Sequence, residues 1–230
     1  MPVALITGAS RGLGLALARA LAERGWRLVI DARGGDALAA ADRELSGRTA
    51  TAALAGDVAD PRHREALVAA AGDLGGLDVL VNNASILGPS PQPALRDYPL
   101  DVLAEVFRVN VLAPLALIQH ALPLLEASRG RILNITSDAG VEGYEGWGGY
   151  GASKAALEQL SRVLAVEHPQ LPVYWVDPGD MNTQMHQEAY PGEDISDRPS
   201  PEVSVPGLLE LVTGDRPSGR YAARDLVPAR

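Results

Sequence analysis

The chain has 230 residues, of which 47% are hydrophobic, and this length suits one large α/β domain. Its formal net charge of −9 argues against nucleic acid or an anionic membrane as a partner, and the absence of cysteine excludes disulfides and thiolate metal sites. The N-terminal segment lacks a basic region followed by a long apolar core, so we expect no secretion signal, no membrane span and a cytoplasmic location.

A glycine-rich turn follows the first predicted strand, at residues 3–6. The turn reads T-G-A-S-R-G-L-G, and a helical pattern comes directly after it. A strand, a glycine turn and a helix together present backbone N–H groups and a helix N-terminus to a phosphate, which a Cβ atom would hold away. We therefore predict a dinucleotide site at this turn. The predicted contacts are Gly8, Ser10, Arg11, Gly12, Leu13 and Gly14.

Two other interpretations of this turn stay open. One is a tight strand–helix connection that binds no ligand. The other is the G-x-S-x-G elbow of serine hydrolases, with Ser10 as the nucleophile. That elbow normally follows several strands, whereas this turn follows the first, and a hydrolase would need His168 or His186 as its late histidine.

Three further apolar runs are predicted strands: residues 28–30, 49–54 and 77–81. Helical patterns separate them, one beginning after Gly35 and one at Asp60-Pro61, where an acid at the N-cap precedes a proline in the first turn. Uniformly apolar strands that alternate with helices predict a parallel sheet covered on both faces. We therefore expect residues 1–230 to form a single, three-layered, doubly wound α/β domain of the Rossmann type, with ligands beyond the carboxyl ends of the strands.

Two residues at the end of the second strand bear on cofactor choice. An acid at this position accepts hydrogen bonds from the ribose of NAD, whereas an arginine pairs with the 2′-phosphate of NADP. Asp31 still lies on the predicted strand, while Arg33 lies just past it, near the expected position of the adenosine ribose. Arg11 adds a second cation. We therefore favour NADP as the cofactor and leave NAD open.

Residues 100–126 are predicted to form one long helix or two. Pro114 lacks the N–H that would bond to the carbonyl four residues earlier, which belongs to Asn110. One hypothesis is that this carbonyl holds a water molecule that feeds protons toward Lys154. The alternative is a plain proline kink.

A candidate catalytic group lies around the next apolar run, residues 132–136, which ends at Ser137. Tyr150 begins a helical segment, and the four-residue step to Lys154 puts both side chains on one helix face. Bringing a tyrosine pKa from ~10 to about 7 requires roughly 4 kcal/mol. An ammonium about 4 Å away, at an effective dielectric constant of about 20, supplies that amount. We therefore expect Lys154 to lower the pKa of Tyr150 while Ser137 holds the substrate oxygen, although such a pair also occurs on plain solvent-exposed helices.

These motifs together resemble the short-chain dehydrogenase/reductase family over about residues 2–185. The glycine turn is similar to the family's cofactor loop, and residues 82–84 are similar to its N-N-A-G segment. The resemblance implies a catalytic tetrad of Asn110, Ser137, Tyr150 and Lys154. It also implies cofactor contacts outside the glycine turn: Arg33, Asp57, Val58, Asn83, Ala84, Tyr150, Lys154, Pro178, Gly179, Met181 and Thr183.

The resemblance extends to the C-terminal part in position only. Residues 184–205 occupy the place of the family's substrate lid, and the family implies a homodimer or homotetramer. An apolar helix is predicted at residues 207–213 and a last strand at residues 219–221. His186 has no partner at ligand spacing, so we expect no metal site.

The sequence departs from the family in two respects. Ser85 stands where the N-N-A-G segment has glycine, so the backbone there is less free to approach a cofactor. Acids occur near the tetrad: Asp138, Glu142 and Glu145. They are interpreted either as lining the substrate entrance, which would favour a cationic or hydroxylated substrate, or as simply solvated.

The pattern as a whole predicts a reversible, NADP-dependent reduction of a ketone or aldehyde to an alcohol. Ser137 would polarise the carbonyl and Tyr150 would protonate its oxygen. Lys154 would lower the tyrosine pKa and hold the nicotinamide ribose, while Asn110 would support the proton path. The expected partner is a small carbonyl or alcohol substrate. The alternative is a non-catalytic NADP(H)-binding sensor or scaffold of the same fold, for which a tuned tyrosine would have no use.

Overall fold

Parallel strands form the centre of the protein, whose computed structural model describes residues 1–226. The strands of this part of the chain are β1 (Val3–Ile6), β2 (Arg27–Ala32), β3 (Thr51–Ala55), β4 (Val79–Asn82), β5 (Arg131–Ile135), β6 (Val173–Asp177) and β7 (Gly219–Ala222). The helices are α1 (Gly12–Ala22), α2 (Gly35–Ser46), α3 (Pro61–Asp73), α4 (Leu100–Phe107), α5 (Ala113–Ser128), α6 (Gly148–Glu167), α7 (Gln184–Ala189) and α8 (Val205–Thr213).

The sheet has the strand order β3-β2-β1-β4-β5-β6-β7, and every pair of neighbouring strands is parallel. The chain therefore winds outward from β1 to β3, returns to the middle and continues from β4 to the other edge. The carboxyl ends of β1 and β4 lie side by side at this reversal, which is where doubly wound sheets bind ligands.

Two apolar clusters cover the two faces of the sheet. One cluster joins residues of α1, α2 and α8 to the strands, and the other joins residues of α3 and α5 to them. The central strands are largely apolar because both of their faces are buried, whereas the edge strands β3 and β7 are only partly buried. The predicted three-layered, doubly wound fold is confirmed.

The region predicted as one or two helices at residues 100–126 is corrected in detail. α4 ends at Phe107, a π-helical turn spans Arg108–Leu112, and α5 follows. Pro114 lies in the first turn of α5, where the missing N–H is tolerated, so it does not kink a continuous α-helix. Pro123 is the proline inside α5.

Local signals explain several element ends. The Asp60 side chain accepts a hydrogen bond from the Arg62 N–H at 3.0 Å, which confirms the predicted N-cap of α3. The predicted helix at residues 207–213 is α8, and the predicted last strand is β7. Within residues 1–226, no helix combines the length and the apolarity needed to cross a lipid bilayer.

Candidate functional site

A cavity of about 1340 Å³ opens at the carboxyl ends of the central strands. Its walls come from the glycine turn, from the segments after β2, β3 and β4, from α6, and from residues 178–188. Most of the predicted site residues line it: Gly8, Ser10, Arg11, Gly12, Leu13, Arg33, Asp57, Val58, Asn83, Ala84, Tyr150, Lys154, Pro178, Met181 and Thr183. Four predicted residues are not part of this lining: Gly14, Asn110, Ser137 and Gly179.

The glycine turn is held in a conformation that only glycine adopts readily. Gly8 has φ +66° and Gly12 has φ +55°, both in the left-handed region. Gly14 has a packing role, since a Cβ there would lie 2.6 Å from the Gly8 carbonyl oxygen. The glycines therefore let the turn and α1 pack closely, with Gly8 and Gly12 on the cavity wall.

Asp31 anchors the glycine turn from below. Its Oδ1 accepts a hydrogen bond from the Gly8 N–H at 2.7 Å, and its Oδ2 lies 3.0 Å from His63 Nε2. The residue is only 1% exposed. Both carboxylate oxygens therefore have protein partners, and Asp31 also lines the cavity. The role of His63, which lies on α3, was not predicted from the sequence.

The cavity wall near the end of β2 carries positive charge. Arg33 is exposed and lines the cavity, as does Arg11, whose Nη1 donates a hydrogen bond to the neutral Gln184 side chain. The nearby Asp57 accepts from the Ala59 N–H at 2.9 Å and from Arg108 Nη2 at 3.1 Å. Burial acts to raise the pKa of Asp57, but the Ala59 N–H and the Arg108 and Arg33 guanidinium groups outweigh it and lower that pKa.

The N-N-A segment ties the end of β4 to the glycine turn. The Asn83 side-chain amide donates to the carbonyl oxygens of Thr7 and Gly8, at 2.8 and 3.1 Å. The backbone N–H groups of Asn83 and Ala84 both donate to Thr7 Oγ1 at 3.0 Å. These bonds fix the two neighbouring strand ends to each other and so shape the middle of the cavity.

Tyr150 and Lys154 lie on the predicted face of α6 and are both buried, with Tyr150 8% and Lys154 2% exposed. The Lys154 Nζ donates to the Ile135 carbonyl oxygen at 2.9 Å and lies 5.3 Å from the centre of the Tyr150 ring. Both residues line the cavity. The pair therefore belongs to the candidate site and not to a solvent-exposed helix face.

The expected lowering of the tyrosine pKa is wrong for the protein without ligand. Burial raises the pKa of the Tyr150 phenol, and the carboxylates of Asp177 and Asp138 raise it further. Burial also lowers the pKa of Lys154 to about 8. An ammonium close to a phenol favours the phenolate, but the loss of water around both groups disfavours their charged forms. For the pKa of Tyr150 and of Lys154, this loss of water is the larger effect.

The Ser137 hydroxyl is hydrogen-bonded within its own turn. Its hydroxyl donates to Asp138 Oδ1 at 2.9 Å and accepts from the Ala139 N–H at 3.2 Å. Asp138 also accepts from the Tyr144 hydroxyl at 3.0 Å. None of the three acids singled out in the sequence (Asp138, Glu142 and Glu145) lines the cavity. The local turn thus holds Ser137 beside Asp138.

Asn110 is fully buried and holds two walls of the site together. Its side chain accepts from the Ile86 N–H at 2.9 Å and donates to the Ile86 carbonyl oxygen, also at 2.9 Å. It donates a further bond to Ser153 Oγ at 3.0 Å, and Ser153 donates to the Tyr150 carbonyl oxygen at 2.6 Å. Asn110 therefore connects the segment after β4 with the helix that carries Tyr150.

The segment predicted as a lid contains the short helix α7 and borders the cavity. Thr183 caps α7 by accepting from the His186 N–H at 3.2 Å. Ser90 donates to the Glu188 carbonyl oxygen at 2.6 Å, and Gln184 bonds to Arg11. These bonds connect α7 to both sides of the cavity.

Apolar and aromatic residues near Tyr150 were not predicted. Trp147 packs edge-to-face on Tyr150 with ring centres 5.7 Å apart, and Tyr190 lies 6.0 Å from Trp147. The spacing of Trp147, three residues before Tyr150 on a helical segment, was the available signal. Leu87 and Met185 pack with Tyr150, and further apolar residues line the cavity: Pro99, Val102 and Val109.

The geometry gives no support to a hydrolase based on Ser10. His168 pairs with Glu126 at 3.3 Å, and His186 lies 3.9 Å from Asp180. The nearest carboxylates to these two histidines are thus Glu126 and Asp180. Within residues 1–226, neither histidine is hydrogen-bonded to Ser10. In the part of the chain that the structure describes, no three or more His, Asp or Glu side chains are grouped to hold a metal ion.

Comparison with known proteins places these features in a family. A family model described as short chain dehydrogenase matches residues 2–194. A 3-oxoacyl-acyl-carrier-protein reductase of rhamnolipid biosynthesis from Pseudomonas aeruginosa is 41% identical over 172 residues, which cover 72% of this chain and 66% of the relative, just under two thirds of its length.

Solved structures agree in fold over almost the whole chain. A short chain dehydrogenase from Pseudomonas syringae has a TM-score of 0.89 at 33% identity and covers 96% of this chain and 94% of its own. A short chain dehydrogenase from Shigella flexneri, solved in complex with NADP, has a TM-score of 0.89 at 29% identity and covers 97% of each chain. The chain belongs to the short chain dehydrogenase family of oxidoreductases.

Proposed function

We propose that this oxidoreductase reduces a ketone or aldehyde to an alcohol, reversibly, with NADPH as its hydride donor. The observation that carries the proposal is that Tyr150 and Lys154 line the same cavity as the glycine turn and Arg33. A proton donor and a dinucleotide-binding turn in one cavity are the two requirements of such a reaction. No such arrangement would be needed by a protein that only senses the dinucleotide.

The residues present fit a bound dinucleotide. The cavity volume of about 1340 Å³ is large enough for a dinucleotide together with a small substrate, and glycines with positive φ leave backbone close to the cavity. When bound, the nicotinamide supplies the hydride, and the protein binds the substrate, orients it and supplies the proton. Gly12, Ser10 and Thr183 would hold the phosphates and the nicotinamide end, and Val58, Asp57 and Ala84 would border the adenine and the ribose.

The preference for NADP rests on charge. Arg33 is exposed on the cavity wall, and Arg11 has a neutral hydrogen-bond partner, so both keep positive charge for a 2′-phosphate. Asp31 already bonds to the Gly8 N–H and to His63 through its two carboxylate oxygens, so Arg33 is the more available of the two residues at the end of β2. The NADP bound to the Shigella flexneri relative supports the same choice.

Proton transfer is assigned to Tyr150. The raised pKa of the free phenol keeps it protonated at neutral pH, as a proton donor for reduction must be. Lys154 would then stabilise the phenolate left after the transfer and hold the ribose. Ser137 would polarise the carbonyl oxygen after its hydroxyl leaves Asp138, and Asn110 would keep the two cavity walls in place. A water held at the Asn110 backbone carbonyl remains our hypothesis for the proton supply.

The substrate end of the cavity favours an apolar molecule. Leu87, Trp147 and Met185 pack around Tyr150, and the acids expected from the sequence to attract a cation do not line the cavity. The relative that reduces 3-oxoacyl groups supports a ketone with an apolar substituent as the substrate.

We further propose a cytoplasmic homodimer or homotetramer, with residues 184–205 as the substrate lid. Light scattering of the purified protein tests the assembly.

The decisive experiment is NADPH oxidation with a panel of 3-oxoacyl thioesters, diketones, quinones and aldehydes. Wild type is expected to turn over at least one of them, and Tyr150→Phe is expected to be slower by about 100-fold or more, since general acid catalysis contributes on that order. Tyr221→Phe, which removes a hydroxyl that donates to the Pro217 carbonyl oxygen outside the cavity, is the matched control. Turnover no faster than that of Tyr150→Phe on every substrate would favour the sensor.

A further inference from the structure

Ser85 is a polar residue of the cavity wall that has no role in the proposed reaction. Its Oγ is buried and has no hydrogen-bond partner in the part of the chain that the structure describes, yet the residue lines the cavity. A buried hydroxyl without a partner is costly, and the cost is removed if a group on the reaction path supplies the missing bond.

The backbone on both sides of Ser85 is fixed by hydrogen bonds. The preceding residue, Ala84, donates to Thr7 Oγ1 at 3.0 Å, and the following residue, Ile86, forms two bonds of 2.9 Å with the Asn110 side chain. The Ser85 hydroxyl is therefore presented to the cavity from a rigid segment. A preorganised donor of this kind costs little to align with a charge that develops later.

The same Asn110 side chain also positions Tyr150. It bonds to Ser153 at 3.0 Å, and Ser153 bonds to the Tyr150 carbonyl oxygen at 2.6 Å. The buried amide thus bonds to Ile86, which follows Ser85, and to Ser153, which bonds to Tyr150, and both Ser85 and Tyr150 line the cavity. Ser85 acts to lower the pKa of the phenol, against the stronger effects of burial and of the two nearby carboxylates, which raise it.

The charged groups that face the phenol come from three elements. Lys154 lies on α6, Asp177 ends β6, and Asp138 follows β5. The lid segment contributes the uncharged Met185 and Ala189 to the packing around Tyr150. The two carboxylates disfavour the phenolate, so an additional donor at its oxygen would assist proton release.

We propose that Ser85 is a positioning residue for Tyr150, with its hydroxyl donating a hydrogen bond to the phenolate oxygen that forms when Tyr150 gives its proton to the substrate oxygen. In that step the phenolic O–H bond breaks and the O–H bond of the alcohol product forms. This inference rests on the role proposed for Tyr150. It also gives Ser85 a function that the glycine of the family segment could not perform, since glycine has no hydroxyl.

The test measures the phenol directly. A fluorinated tyrosine, which is more acidic than tyrosine, is incorporated at position 150, and its titration is followed by fluorine NMR in the otherwise unchanged protein. The same titration is repeated in Ser85→Ala and in Ser85→Thr, which keeps a hydroxyl. Ser128→Ala is the matched control because Ser128 bonds to the Leu77 carbonyl oxygen, away from the cavity.

The pKa of the fluorophenol is expected to rise by about one unit in Ser85→Ala, return toward the wild-type value in Ser85→Thr and stay unchanged in Ser128→Ala. An equal pKa in wild type and Ser85→Ala would overturn the proposal. A rise in both Ser85 variants would assign the effect to packing and would also overturn it. The titration requires no turnover, so it reports on Ser85 even if no carbonyl substrate is reduced. If the wild-type enzyme reduces a carbonyl substrate but the fluorophenol pKa is the same in Ser85→Ala, only the role of Ser85 is rejected.

Discussion

The Lys154 ammonium donates a hydrogen bond of 2.9 Å to the Ile135 carbonyl oxygen and lies 5.3 Å from the centre of the Tyr150 ring. The position of the ammonium is therefore fixed by the last residue of β5, the strand that precedes α6 in the chain. The amine is held near the phenol at the cost of burying a cation. This cost is visible in the pKa of Lys154, which burial lowers from 10.5 to about 8.

Lys154→Met is expected to be more stable than wild type at pH 7. The folded-state pKa of Lys154 lies below its unfolded-state value, so the ammonium destabilises the fold fully below about pH 8, and this penalty disappears as the pH rises toward 10.5. A shift of this size corresponds to about 3 kcal/mol at most. Urea unfolding of both proteins at several pH values measures the difference.

The stability gain should be accompanied by a large loss of turnover, because the phenolate loses its cation. Arg43→Met, which removes an exposed cation of α2, provides the comparison for a general charge effect. A stability difference between wild type and Lys154→Met that does not shrink between pH 8 and pH 10.5 would contradict this account.

Asp177→Asn is expected to shift the pH profile of reduction to lower pH. The Asp177 carboxylate raises the pKa of Tyr150, so its neutral replacement lowers that pKa. Reduction requires the protonated phenol, and the rate therefore falls as the pH rises through the pKa of Tyr150. The alkaline limit of kcat should move to lower pH, while the amide oxygen can still accept the Gly179 N–H that Asp177 now accepts at 2.9 Å. An alkaline limit that stays in place or moves upward would show that Asp177 does not act on the phenol.

Arg33→Ala is expected to raise the KM for NADPH by about 10- to 100-fold and to leave the KM for NADH nearly unchanged. The expected loss is that of charge-assisted hydrogen bonds to the 2′-phosphate. Arg43→Ala is the control, because Arg43 is an arginine of α2 that does not line the cavity. Initial-rate kinetics with both cofactors measure the two constants, and equal changes for NADPH and NADH would reject the role of Arg33.

Asp31→Ala is expected to destabilise the protein by about 2 kcal/mol, because it leaves the Gly8 N–H and His63 without their buried partner. Asp31→Asn keeps an acceptor oxygen and should lose less. Thermal unfolding of the two variants and of Asp36→Ala, which alters an exposed acid of α2, measures the loss of stability in each. A loss in Asp31→Ala no larger than that in Asp36→Ala would show that the glycine turn does not depend on this carboxylate.

The sequence predicted the fold well because apolar strands and helical patterns alternate regularly, and the glycine turn marked one end of the cavity. It also predicted the shared face of Tyr150 and Lys154, since helical spacing is local. The pKa of Tyr150 was predicted wrongly because it depends on burial and on Asp177, which is distant in sequence. The hydrogen bond between Ser137 and Asp138 and the pairing of Asp31 with His63 were also not predictable from spacing, because each depends on side-chain orientation in the folded chain.

The amide group of the Asn110 side chain is fully hydrogen-bonded to Ile86 and Ser153, and this has a practical consequence for mutagenesis. Replacing Asn110 would let two neighbouring chain segments drift apart, so lost activity in such a variant would be ambiguous between geometry and proton supply. Pro114→Ala restores an N–H near the Asn110 carbonyl while sparing the amide. Solvent isotope effects in that variant therefore address water-mediated delivery without disturbing the scaffold around the phenol.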